Sequence, residues 1–206
     1  MRLSFCPALL VLLVAACASR EPPVSVPAER GALSGMACLA ALAEAGGVAA
    51  DFGVERSGTC GVDTPVSLLS AGAVLEPPLA TSCAMAVAWA RFVPEIDRLA
   101  REHLGKSIRL VRHYGSHACR RMTGDSRRLS LHATARAVDV AGFALADGSE
   151  VMVGRDWSGN GPRARFLRAV ARAGCRHFAV VLTPDFDRHH RDHLHFDIGP
   201  WQLCGL

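Results

Sequence analysis

Hydrophobic and polar positions along the chain change period several times, and each change marks an element. Residues 35–44, GMACLAALAE, are strong helix formers and stop at Gly46-Gly47. Residues 51–65 are turn-rich and include Cys60. Thr81 or Ser82 caps a second helix that reads CAMAVAWARFV. Pro94 either kinks that helix or restarts it as PEIDRLAREHL, ahead of Gly105. Alternation in residues 107–112, SIRLVR, predicts a strand, and a long polar loop follows over 113–130. Residues 136–143, RAVDVAGF, alternate again. Asp147-Gly148 then turns the chain, and EVMV returns as the hairpin partner. Pro162 opens a helix over RARFLRAVARAGC, whose apolar residues recur at helical spacing. FAVVL (178–182) is an apolar strand, TPDFDRHHRD a polar loop, and HLHFDI (193–198) a last strand. Helices lead and a mostly antiparallel sheet follows. That is an α+β order, not a repeated βαβ one.

The last strand sets a chemical question. With period two, His193, His195 and Asp197 project to one side, and Leu194, Phe196 and Ile198 to the other. The apolar side is core. Two imidazoles stacked on the other side suit a metal; a solvated or structural pair is the alternative.

Half of the residues are hydrophobic, but residues 1–17, MRLSFCPALLVLLVAAC, raise that share. One Arg, an apolar run too short for a bilayer and then small residues make a secretory signal. Its end, Val14-Ala15-Ala16-Cys17, resembles the lipobox of bacterial lipoproteins, in which the Cys becomes the lipidated N-terminus. The alternative is an ordinary signal with a chance Cys. A lipid on Cys17 would tether the protein to a membrane without a span. Residues 18–31 are Pro-rich and polar and read as a flexible tether, leaving 32–206 as the domain. The net charge of +4 falls by one when Arg2 leaves with the signal. That is too small to argue for nucleic acid, and no basic run with interleaved aromatics occurs.

Of eight cysteines, Cys6 and Cys17 belong to the signal. Cys38, Cys60, Cys83, Cys119, Cys175 and Cys204 remain, an even number in an exported domain, which implies up to three disulfides. The expected pairing is Cys38 with Cys60, Cys83 with Cys119 and Cys175 with Cys204. The absence of a C-x-x-C pair speaks against a thiolate zinc site.

A second cluster, SLHATARAVDV (130–140), places His132 in a loop just ahead of the strand that carries Asp139. A carboxylate flanked by Val138 and Val140 is partly buried and needs a partner, either a metal or an Arg. The pattern S-x-H-x(6)-D followed by D-H-x-H resembles the LAS group of zinc peptidases, which includes lysostaphin-type, D-alanyl-D-alanine and hedgehog-type domains. The match is closer to the bacterial extensin-like C-terminal family. It rests on HACRR (117–121), SLHATARAVDVAGFALADG (130–148), FLRAVARAGCRHFAVVLTPDFDRHHRDHLHFDIG (166–199) and the spaced cysteines. It implies a disulfide-stapled LAS/hedgehog-type fold, with N-terminal helices packed on a small, mostly antiparallel sheet.

The resemblance further implies His132, Asp139 and His195 as ligands of Zn2+. Two imidazoles and one carboxylate leave a fourth position for water, the layout of a catalytic zinc. It offers Asp192 as general base, with His193 as the rival; a His-x-x-His-x-His run through His190, His193 and His195 fits as well. Arg120 would bind a substrate carbonyl or carboxylate, or be a surface Arg with Arg121 as substitute. Ser130 and His190 would support the ligands from behind. Asp197 either orients a ligand or is exposed, the latter preferred. Ala135 stands where many LAS peptidases have Gly, followed by Arg136, which suggests a bulkier rim. The implied function is an exported zinc peptidase acting on peptidoglycan peptides in the cell envelope. The rival from a different class is a non-catalytic zinc domain that binds wall or protein.

Overall fold

The computed structural model describes residues 35–51, 53 and 58–206. The predicted signal, lipidated Cys17 and tether lie outside them. Helix α1 (Gly35–Glu44) is followed by strands β1 (Gly47–Asp51), β2 (Pro65–Ala71) and β3 (Val74–Ser82). Helix α2 (Cys83–Leu104) leads to β4 (Ile108–Gly115). A small hairpin, β5 (Arg121–Met122) and β6 (Asp125–Leu129), precedes β7 (Ala137–Leu145) and β8 (Glu150–Met152). Helices α3 (Val153–Asp156) and α4 (Pro162–His177) come next, and β9 (Val180–Leu182), β10 (Leu194–Asp197) and β11 (Leu203–Gly205) finish the chain.

The fold is α+β, as expected, but its sheet is larger and mixed. Its order is β1-β2-β3-β4-β7-β10-β9-β11, with β8 paired to β7. The β3–β4 and β9–β11 pairs are parallel and the others antiparallel. Strands β1 to β3 precede the long helix, so helices do not simply lead. Pro77 and Pro78 within β3, and the turn-rich residues before β2, hide that meander from a periodicity reading.

Helix α2 runs through Pro94 without a restart. Ser82 caps it, its Oγ accepting the Met85 N–H, and Gly105 closes it in the left-handed conformation at φ 69°. Buried side chains of α2 and α4 cover one face of the sheet. Phe196 of β10 is fully buried there, its ring 5.7 Å from Phe92, 6.2 Å from Trp89 and 5.0 Å from Phe178. Leu194 and Ile198 share that core, so His195 is turned to the opposite face.

Three disulfides form, two of them in a pairing other than expected. Cys38 joins Cys83, Cys60 joins Cys119, and Cys175 joins Cys204 as foreseen. Helix α1 packs on α2, which brings Cys38 to the first residue of α2. Cys60 instead meets the segment before β5, where His117 Nε2 also lies 3.4 Å from the Cys60 carbonyl. Sequence proximity says nothing about either packing. Among the described residues no helix is long and apolar enough to cross a membrane.

Candidate metal centre

The polar face of the β7–β10 ladder gathers the cluster. His195 pairs with Asp139 in register, flanked by the core pairs Leu194 with Val140 and Phe196 with Val138. His195 Nδ1 lies 2.9 Å from Asp139 Oδ1. His132 arrives on a 3-10 turn, Leu131–Thr134, capped by Ser130, whose Oγ accepts the His132 N–H. His132 Nε2 is 3.3 Å from Asp139 Oδ2 and 3.3 Å from His195 Nδ1.

The second nitrogen of each ring is held. His132 Nδ1–H donates to the Ser116 carbonyl at 2.8 Å, just beyond β4. His195 Nε2–H donates to Asp197 Oδ2 at 3.3 Å. These bonds fix the tautomers, so in neutral rings Nε2 of His132 and Nδ1 of His195 carry lone pairs aimed at one point. Two lone pairs 3.3 Å apart repel unless a cation sits between them. Without a metal that cation is a proton. Burial alone would lower the His195 pKa, but hydrogen bonds and charge from Asp139 and Asp197 push it up to about 9. Burial would likewise raise the Asp139 pKa, yet His132 and His195 hold it far below the carboxylate range.

The same residues could hold a metal ion. Among the described residues His132, Asp139 and His195 form a group whose ligand atoms lie within 4.8 Å of one another. Bonds of about 2.0–2.1 Å at tetrahedral angles separate ligand atoms by about 3.3 Å. The 3.3 Å between His132 Nε2 and His195 Nδ1 is of that size, and Asp139 offers one oxygen to each ring, at 3.3 and 2.9 Å.

A family profile described as the extensin-like protein C-terminus matches residues 36–205. The chain belongs to this family. No curated protein and no solved structure gives a significant match. In this extensin-like chain the match spans every element that builds the cluster.

Around the three residues the structure adds a second set. His193 Nε2 lies 3.5 Å from Asp139 Oδ1, while its Nδ1 lies 3.0 Å from Asp192 Oδ1. Asp192 is thus bonded to the far side of the His193 ring. The His190 ring lies tilted against His193 and edge-on to His195, at 5.2 and 5.8 Å between ring centres. Its Nδ1 contacts Asp187 Oδ1 at 2.8 Å, and burial pushes its pKa down despite that carboxylate.

Two expectations change, for Asp197 and Ala135, and Arg120 takes a surface position. Asp197 is buried, not exposed: it holds His195 and accepts the Gly199 N–H. Arg120, just ahead of β5, is solvent-exposed, and its guanidinium donates to the Arg121 carbonyl at 3.4 Å. Ala135 is fully buried rather than on a rim. It adopts a left-handed conformation at φ 52°, where Gly is favoured, and its carbonyl accepts from Ser82 N, Ser82 Oγ and Thr81 Oγ1. Arg136 turns away to donate to the Ile198 carbonyl.

Sequence reasoning missed Ser116, Asp187 and Tyr114. Ser116 acts through a backbone carbonyl, which any residue supplies, so no signal marks it. Asp187 stands three residues before His190 as the cap of a 3-10 turn, a spacing that could have been read. Tyr114, the one tyrosine of the chain, is exposed with its ring 5.9 Å from that of His193. Nothing in the alternating pattern of β4 announced it.

Proposed function

We propose that this chain is an exported zinc-dependent peptidase that hydrolyses peptide bonds in peptidoglycan stem peptides or cross-links. Kinship with the LAS zinc peptidases, residence in the cell envelope and a lipid anchor at Cys17 belong to the same reading. The observation that supports it is the pair of oriented ring nitrogens, His132 Nε2 and His195 Nδ1, 3.3 Å apart beside Asp139. That arrangement asks for a cation, and three protein ligands are the complement of a catalytic rather than a structural zinc.

His132, Asp139 and His195 would hold the metal, with Ser116 and Asp197 fixing the two rings. A zinc ion held there supplies Lewis-acid chemistry, acidifying water and polarising a carbonyl. The protein's own share is proton movement. His193 presents Nε2 to the cluster and takes up a proton there, while Asp192 holds Nδ1–H and steadies the charged ring. The same nitrogen returns the proton to the departing amine. This assigns the base to His193 and a positioning role to Asp192, where the sequence alone favoured Asp192.

The test is metal content by mass spectrometry on the purified mature protein, beside His132→Ala and His195→Ala, followed by digestion of purified peptidoglycan. The expected result is about one zinc per chain, lost in both variants, with release of peptide fragments. Zinc without turnover would leave a wall-binding or protein-binding zinc domain. No zinc in correctly bridged protein would remove both readings.

A further inference from the structure

The hairpin β5–β6 serves no purpose in the cluster itself, yet it is unusually charged. Residues 120–129 contain Arg120, Arg121, Arg127 and Arg128 against one acid, Asp125. All four arginines are exposed, and the Arg127 side chain is 92% exposed. Asp125 meets Arg127, whose Nε lies 3.6 Å from its Oδ1, so the hairpin keeps an excess of cations that an incoming anion would relieve.

The hairpin is also rigidly joined to the metal centre. Its first end is hooked by the Cys60–Cys119 disulfide. Its base is closed by the Ser130 N–H donating to the Arg120 carbonyl, and the Ala118 N–H donates to the carbonyl of His132. Its second strand reaches the segment after β10: the Arg128 guanidinium lies 4.8 Å from the centre of the Trp201 ring. One anchoring segment carries His132, and the other follows directly on β10, the strand of His195. Successive residues of β6 alternate, so Arg128 turns to Trp201 while Arg127 faces away into solvent.

We propose that this hairpin is a docking arm for a carboxylate-bearing peptide that passes from it into the metal centre. Guanidinium forks match carboxylates two bonds at a time, and an arm held at three points loses little freedom on binding. An acidic peptide fits better than a membrane surface, because the arm's fixed neighbours are the ligand-bearing turn of His132 and the strand exit beyond His195. The inference rests on the peptidase reading for its substrate class, and its test therefore reads binding instead of turnover.

Trp201 is 59% exposed, whereas Trp89 and Trp157 are buried, so a fluorescence change on titration reports on the arm. The probes are two forms of L-Ala-γ-D-Glu-L-Lys-D-Ala-D-Ala, with the glutamyl α-carboxyl free or amidated, titrated into the zinc-reconstituted full chain. The free form should bind about threefold to tenfold more tightly, and the advantage should shrink with added salt. Arg121→Gln/Arg127→Gln should abolish the difference while zinc content stays unchanged; the Lys/Lys counterpart should retain part of it. Equal binding of the two peptides, no binding of either, or an unchanged double Gln variant would overturn the proposal. So would vesicles of phosphatidylglycerol that displace the peptide through the same arginines. A peptide that binds with the carboxylate preference and is never cleaved would leave the arm standing and remove the peptidase.

Discussion

His195 stands directly opposite Asp139 in the β7–β10 ladder, its Nδ1 2.9 Å from Oδ1. Because Leu194 and Phe196 on either side are fully buried, the strand cannot slip without turning His195 into the core. Sheet register thereby sets the ligand geometry. Asp197 holds the far nitrogen of the same ring. Asp197→Asn should therefore keep the metal stoichiometry but weaken zinc affinity by roughly 10–100-fold. Competition with a chelating dye measures it, and an unaltered affinity would deny Asp197 any part in the site. Asp139→Ala should lose the metal outright.

On the proposed peptidase reading, variants at His193 and Asp192 should separate metal binding from proton transfer. His193→Gln should retain zinc and lower turnover of a peptide substrate by roughly 10²–10⁴-fold. Asp192→Asn should fall between that variant and the wild type, since the ring stays and only its support is lost. Kinetic assays paired with metal analysis decide it. If Asp192→Asn were the more damaging change, Asp192 and not His193 would be the proton acceptor.

Much of the cluster was legible in the sequence because strand alternation is a strict rule. Leu194, Phe196 and Ile198 had to face the core once HLHFDI was a strand, and His195 followed to the other side. The ends of α1 and α4 were legible from Gly46-Gly47 and Pro162. What failed was whatever depends on packing between distant segments. The Cys38–Cys83 and Cys60–Cys119 bridges follow from how α1 lies on α2 and where the hairpin folds. Burial of Asp197 follows from the bend at Gly199, where its carboxylate caps the turn. The carbonyl of Ser116 has no side-chain signature at all.

Glu95 gives a pH dependence away from the candidate metal centre. Its Oε2 lies 2.7 Å from His177 Nε2, and Arg176 bonds Oε1. Partial burial alone would raise its pKa; the His177 hydrogen bond and the Arg176 charge outweigh that and hold it below the ordinary value. A depressed folded-state pKa stabilises the fold above the unfolded value of about 4.3, and that stability is lost as pH falls through the folded value. Glu95→Gln should thus melt at a lower temperature than wild type near neutral pH, with the gap closing as pH falls below the unfolded value of about 4.3. Thermal melts across that range test it; a gap independent of pH would assign the effect to packing.

The Cys60–Cys119 bridge closes a sequence separation of 59 residues around the hairpin's entry. Replacing both with Ser should lower unfolding free energy by roughly 2–4 kcal/mol, read from denaturant melts. Zinc content should persist, because His132, Asp139 and His195 are held by the sheet and by the turn that Ser130 caps. Peptide mapping under non-reducing conditions should show Cys60 linked to Cys119 and Cys38 to Cys83. Recovery of Cys38 with Cys60 would overturn this topology.

Gly174 links the helical layer to the strand of the candidate metal centre. It lies on α4 against β10, and a Cβ placed there would come 2.5 Å from Phe196 Cε1 and 3.1 Å from Cδ1. Phe196 cannot retreat, since Trp89, Phe92 and Phe178 enclose its ring and it is fully buried. Gly174→Ala gains helix propensity of about 1 kcal/mol, but overpacking costs about 1–3 kcal/mol, so a net loss of stability is expected. The displaced residue is the immediate neighbour of His195 on the same short strand. The variant should therefore bind zinc more weakly even where it remains folded. Chelator competition below the melting transition, compared with Gly148→Ala as a strained glycine remote from Phe196, separates the two effects. Unchanged zinc affinity in a destabilised Gly174→Ala protein would show that the strand holds His195 independently of the core behind it.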